Sequence, residues 1–208
     1  MILFSPFTLT ANATMQTLEQ AKTLVVETDF VSLNKSYNVS VEGEKVAEVE
    51  GKYLPLFGDT LTLEDLNGNE LGSERQIKRW NIKLNRLAEI MDESGVTEGY
   101  IGEKVIQNFF NLGYTFHFYD AHKDELGYAR EKVFRLFDEY VIYNEEDEPL
   151  YKIKQKFSLF NRKYEITVYD ESTIPVEQSI YLTCILDAVE HAKKKQSWFN
   201  NSSSTKKK

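Results

Sequence analysis

Cysteine is almost missing from this chain of 208 residues: Cys184 stands alone, so no intramolecular disulfide can form and nothing calls for an oxidising compartment. Positive charge is in deficit. Lysine and arginine number 25 against 33 aspartates and glutamates, and the net charge of −8 excludes a protein that coats nucleic acid by neutralising phosphates. Histidine is limited to His117, His122 and His191. No two of them have the spacing of zinc ligands on a helix, so neither a metal nor another cofactor is expected. The nucleophile elbow, the phosphate-binding loop and the glycine-rich dinucleotide turn are all lacking, which argues against an enzyme. No apolar run reaches the roughly 20 residues that span a bilayer, so no transmembrane segment is expected. The opening residues, MILFSPFTLTANATMQ, have no basic start and are broken by Pro6, which makes a poor secretory signal. These absences together predict a cytoplasmic setting, at most peripheral to a membrane.

Core material, by contrast, is ample: 41% of the residues are hydrophobic and 13% aromatic, which suits one folded domain. From Thr23 to Asp170 short alternating runs are separated by acidic, glycine-bearing turns, the pattern of consecutive antiparallel strands. Strands are predicted over residues 23–28, 36–41, 45–53, 60–64, 71–77, 99–109, 114–120, 125–133, 139–144, 150–157 and 163–170. Asn67-Gly68, between two alternating runs, is the strongest hairpin signal among them. Residues 79–94 (RWNIKLNRLAEIMDES) read instead as an amphipathic surface helix. Trp80, Leu84, Leu87 and Met91 share one face, Arg79, Lys83 and Arg86 another, and Gly95 is the stop.

A second helix is predicted near the end, over residues 173–195. Ser172 or Thr173 caps it, Pro175 sits in the first turn, and Lys193, Lys194 and Lys195 suit the negative end of the helix dipole. Ile174, Val176, Ile180, Leu182, Ile185, Leu186 and Val189 cover nearly its whole circumference, so burial on most sides is expected, Ile185 included. Residues 1–22 are ambiguous, with the makings of a short helix at 14–22, and the serine-rich residues 197–208 read as a disordered tail. The domain is therefore drawn over residues 23–196.

One pattern recurs: KYLPLF at 52–57, KVFRLF at 132–137 and KFSLF at 156–160 each precede a strand that ends in an acidic turn, and KVIQNF at 104–109 is a weaker copy. Such a period signals one supersecondary unit used several times. An open meander of about eleven strands would expose long edges, and closing it gives a barrel too wide for its own side chains to fill. The apolar helix, roughly 22 residues and about 33 Å long, is the available plug. The predicted fold is mostly β: a closed antiparallel barrel of 11–12 strands around a carboxyl-terminal hydrophobic helix.

The hairpin units at 52–65 and 132–170, with the apolar helix at 174–189 as the last element, resemble the LURP-one-related family. That family lies within the superfamily of tubby-like carboxyl-terminal domains, which also includes the phospholipid scramblases. The likeness runs roughly from Thr23 to His191, with residues 79–94 as an insertion. It implies a non-enzymatic domain, since relatives bind phosphoinositides or other membrane lipids or are proposed to move lipid. The basic residues with which tubby proteins hold phosphoinositides have no matching positions here, so none is carried over.

Charge patterning supplies the candidate sites. A period of two puts Lys152, Lys154 and Lys156 on one strand face, with Arg162 and Lys163 just beyond the corner, a positive stripe suited either to a phosphorylated headgroup or simply to solvent. Arg79, Trp80, Lys83 and Arg86 form a second candidate patch. The acidic groups Asp120, Asp124 and Glu125, Glu145 to Glu148, and Glu64, Asp65 and Glu70 match no calcium loop and read as solvated turns. The expected function is a binding or scaffolding domain for anionic phospholipid headgroups or a protein partner. A small-ligand carrier or an enzyme using a barrel mouth, and a scramblase-like membrane-associated protein, are the competing expectations.

Overall fold

The computed structural model describes residues 6–29, 35–51, 60–77, 86–108, 111–131, 139–158 and 161–189. Twelve strands follow a first helix, α1 (Pro6–Glu19). They are β1 (Thr23–Asp29), β2 (Lys35–Val41), β3 (Glu44–Gly51), β4 (Thr60–Asp65), β5 (Glu70–Gln76) and β6 (Arg86–Asp92), then β7 (Thr97–Asn108), β8 (Asn111–Asp120), β9 (Glu125–Glu131), β10 (Glu139–Asn144), β11 (Pro149–Lys156) and β12 (Lys163–Val168). Each pairs antiparallel with the next, and β1 closes onto β12, so the sheet is a complete barrel with no free edge. A second helix, α2, spans residues 176–189.

Local chemistry explains the regular turns at one end. The last strand residues Asp65, Asp92, Asp120 and Asn144 each accept, on a side-chain oxygen, the backbone N–H groups two and four positions on. The third loop residue then turns left-handed, at Gly68 (φ 78°), Gly95 (φ 76°), Lys123 (φ 73°) and Asp147 (φ 64°). This is a three-residue hairpin loop, a type I turn followed by a left-handed residue, written four times.

The expected helix at 79–94 is corrected. Residues 86–92 are strand β6, bonded to β5 on one side and β7 on the other, while 78–85 lie outside the described residues. A stretch this short carries both periods: Ala88 and Ile90 point into the core, and Leu87 joins Tyr100 and Tyr119 in a small outer cluster. Without β6 the neighbouring strands would each leave a row of backbone groups unpaired, so sheet closure overrides the helical spacing. Gly95 is a turn residue and not a helix stop.

Inside the barrel, Leu24, Val26, Val39, Val49, Leu63, Phe116 and Ile166 point inward and are almost wholly buried. They meet α2, whose Ile180, Tyr181, Leu182, Thr183, Cys184 and Leu186 are between 0% and 2% exposed. Polar side chains on the buried faces of this helix need partners. Ser179 Oγ donates to the Val176 carbonyl at 2.6 Å and Thr183 Oγ1 to the Ser179 carbonyl at 2.8 Å. Ile185 departs from expectation: it is only partly buried, because it faces a cavity at the barrel mouth. The helix at 14–22 is longer than its sequence signal: α1 begins at Pro6, where proline is tolerated, and its Leu18 is fully enclosed in the core.

Candidate functional site

The meander gives the barrel two unlike ends. The turns after β2, β4, β6, β8 and β10, together with the connection from β12 to α2, lie at one end; the strand ends leading to residues 30–34, 52–59, 78–85, 109–110, 132–138 and 159–160 lie at the other.

On the outer face of β11, Lys152, Lys154 and Lys156 do share one side, each half-buried, while Tyr151 and Ile153 point inward. Register decides what surrounds them. Lys156 stands opposite Lys163 and Lys154 opposite Glu165 on β12, with Glu139 of β10 on the far side of Lys154. Lys156 Nζ lies 2.8 Å from Glu165 and Lys163 Nζ 3.7 Å from Glu27, while the Lys152 ammonium stands 6.0 Å from the Tyr169 ring centre. The stripe is therefore interleaved with carboxylates. Beside it, Phe157 is 74% exposed.

Arg162 does not belong to that face. Its Nε lies 2.8 Å from Oδ1 of Asp187, a fully buried residue of α2. The Asp187 carboxylate also accepts the Tyr37 and Tyr164 hydroxyls, both at 3.1 Å. Burial, reinforced by Cys184 and Asp187, pushes the Tyr37 phenol well above its ordinary range, so it stays a donor. This cluster pins α2 to β2 and to the start of β12.

Of the second predicted patch, Arg79, Trp80 and Lys83 lie outside the described residues, and Arg86 opens β6. Its Nε is 3.4 Å from the buried carboxylate of Glu103. The pair borders a cavity of about 110 Å³ at this mouth, walled by Leu61, Ile101, Phe116, Ile185 and Ala188.

The opposite mouth is lined by acids. A cavity of about 430 Å³ there is bordered by Glu19 of α1, Asp92 and Glu93 of the β6–β7 turn, Glu98 of β7, Glu171, and Glu177 of α2. Burial pushes Glu177 up to about 7, its own backbone N–H offsetting part of the rise and Glu98, Glu19 and Glu171 adding repulsion. Burial likewise raises Glu98 and Glu171, with their acidic neighbours contributing. No cation lines this cavity among the described residues.

The outer face of β7 to β9 holds one further cluster. Nδ1 of His117 lies 2.6 Å from Glu125 and 3.1 Å from Lys104 Nζ, and burial keeps the imidazole below its usual range despite the carboxylate. Among the described residues no serine, threonine or cysteine nucleophile is bonded to it. Among the described residues no group of three or more histidine, cysteine or acidic side chains is placed to hold a metal ion. No helix among them is long and apolar enough to cross a membrane.

Comparison with protein-family models, curated proteins and solved structures finds no match to this chain.

Sequence reasoning missed Asp187, Tyr37, Tyr164, Glu103 and Glu177. The available signals were Glu177 and Asp187, charges within an otherwise apolar helical run, since such a residue needs a partner wherever it is buried.

Proposed function

We propose that the protein is a non-enzymatic binding domain, working in a reducing compartment, whose basic end docks on anionic phospholipid headgroups. The observation that carries this reading is the separation of charge along the barrel axis. Of a net −8, the hairpin end concentrates Glu42, Glu44, Asp65, Asp92, Glu93, Asp120, Asp124, Asp170, Glu171 and the run Glu145 to Glu148, against few cations. The opposite strand ends carry Lys35, Arg75, Arg86, Lys156 and Lys163 against Asp29, Glu50, Glu131 and Glu139, and the sequence between them adds Lys52, Lys78, Arg79, Lys83, Lys132 and Arg135 against Asp59 and Asp138. An anionic surface thus attracts one end and repels the other, which orients the barrel before contact.

Exposed Phe157 beside Lys156 and Lys163 supports the same face, because an aromatic ring flanked by ammonium groups suits the boundary between headgroup and acyl chain. Clustered lysines near an anionic membrane contribute about 1 kcal/mol each. Glu27 and Glu165 offset part of that here, so binding is weak and steeply salt-dependent. In sedimentation with phosphatidylserine-rich vesicles at low salt, the triple change Lys152→Gln, Lys154→Gln and Lys156→Gln is expected to weaken binding at least tenfold. Its melting temperature should stay within a few degrees of wild type, since exposed pairs contribute about 0–1 kcal/mol. Wild-type protein that ignores such vesicles, or a triple variant that binds them equally well, overturns the reading.

A small-ligand carrier is the second reading, favoured by the apolar cavity beside Arg86 and Glu103. A compound that raises the melting temperature of wild type and triple variant alike, with no vesicle binding by either, would select it.

A further inference from the structure

We propose that the cavity at the basic mouth is a binding site for a small primary amine, its ammonium group held by Glu74 and Glu103 and a short branched aliphatic body packed against Ile101, Phe116 and Ile185. This rests on the small-ligand reading and does not depend on vesicle docking.

The period of two builds the site. Ala88 and Ile101 stand opposite each other and point into the core, so Arg86 and Glu103, paired two positions nearer the mouth, point inward as well. On β5 the exposed Arg75 pairs with Glu89 on the outer face, which turns Glu74 and Gln76 inward beside them. Three adjacent strands thus direct polar side chains to one place inside the barrel. The central helix does not fill that place, because α2 presents Ile185 and the short Ala188 there, and Ala88 across from it is short too. A space of about 110 Å³ is left, with an apolar wall and charged groups along one side.

Packing does not require those charges, since a buried ion pair is often no more stabilising than apolar residues of the same size. An apolar pocket with a few convergent polar groups is instead the form that small-molecule sites take.

The lining sets the class of guest. Glu74 and Glu103 are 5% and 2% exposed, whereas the Arg86 side chain is 36% exposed and stands at the rim. An ionised carboxylate offers about four acceptor positions, and Arg86 Nε, 3.4 Å from Oε2 of Glu103, faces one of them. An ammonium group brings three donors and no acceptor, which suits this pair. A guest with an anionic head would instead meet two buried carboxylates of its own sign, with the one lining guanidinium out at the rim. Size narrows the choice further: the cavity is smaller than the roughly 150 Å³ that encloses benzene, so a body of about four carbons fits.

The test is titration of the full chain with isobutylamine, isobutanol and isovalerate at matched pH and ionic strength, followed by amide resonances in two-dimensional NMR. These share one branched body and differ in the head. The amine is expected to shift the Ala88, Ile101 and Ala188 amides saturably and to bind on the order of tenfold more tightly than the alcohol, the advantage of a hydrogen bond to a charged group. The double change Glu74→Gln and Glu103→Gln should weaken the amine about tenfold and leave the alcohol unchanged. If that variant does not fold, Ala188→Leu, which fills the cavity from α2, should abolish binding of the amine. Alcohol or acid that binds as tightly as the amine overturns the ammonium class while the carrier reading survives; no saturable shift from any of the three overturns both. Unchanged amine affinity in the folded variant overturns the site.

Discussion

Leu182→Asp is expected to leave the chain without a cooperative fold at room temperature. Leu182 is 0% exposed, in the middle of the helix that fills the barrel. Removing the leucine forfeits about 2–3 kcal/mol of apolar transfer, and the aspartate adds an uncompensated buried charge costing several kcal/mol more. That sum is comparable with the whole stability of an ordinary domain, roughly 5–15 kcal/mol. Far- and near-ultraviolet circular dichroism reads the result: loss of the melting transition for Leu182→Asp, against a folded Leu182→Ala destabilised by about 2–5 kcal/mol. Ile185→Asp should be much milder than its place in the sequence suggests, because Ile185 lies at the cavity mouth and a carboxylate there reaches water.

Arg162→Leu should cost more than Asp187→Leu, although both break the same ion pair. Asp187 is fully buried, whereas the Arg162 side chain is 23% exposed. Losing the arginine strands a buried carboxylate with only the Tyr37 and Tyr164 hydroxyls, a loss of about 3–5 kcal/mol. Losing the aspartate instead leaves a guanidinium that turns to solvent, together with two phenols whose bonds are lost at about 1 kcal/mol each. Urea denaturation of the two single variants and the double variant separates these effects. The double Leu variant should recover much of what Arg162→Leu loses, since no charge is then left buried. Acid should also restore part of the Arg162→Leu loss, because a stranded carboxylate has its pKa raised and is stabilised once protonated.

The parts of this fold that were legible in the sequence are those whose signal is local. Alternating runs placed eleven of the strands, and the apolar circumference of residues 174–189 marked the helix that fills the barrel. Residues 86–92 were misread because seven residues fit a helical stripe about as well as a strand, and only the open ladders of β5 and β7 decide between them. The lysines of β11 were placed on the correct face by their period of two. The pairing of Lys156 with Glu165 on the next strand depends on register, which the run of lysines does not contain. Arg162, beyond a corner and with a long flexible side chain, had no readable direction. Tyr37 meets Asp187 across 150 positions of chain, and the Glu177 surroundings are assembled from four segments, so neither could be seen from any one stretch.

The account rests on α2 being the interior of the barrel and not an addition to it, and a chain ending at Glu171 tests this most directly. Twelve strands enclose more space than their own side chains fill, so without α2 the inward-facing Leu24, Val39, Phe116 and Ile166 would line a void. Dispersion of amide resonances in a two-dimensional NMR spectrum is the measurement. The expected result is a collapsed, poorly dispersed spectrum or insoluble protein, recovered when a peptide of residues 172–195 is supplied. A soluble truncated chain that melts cooperatively with native dispersion would contradict it.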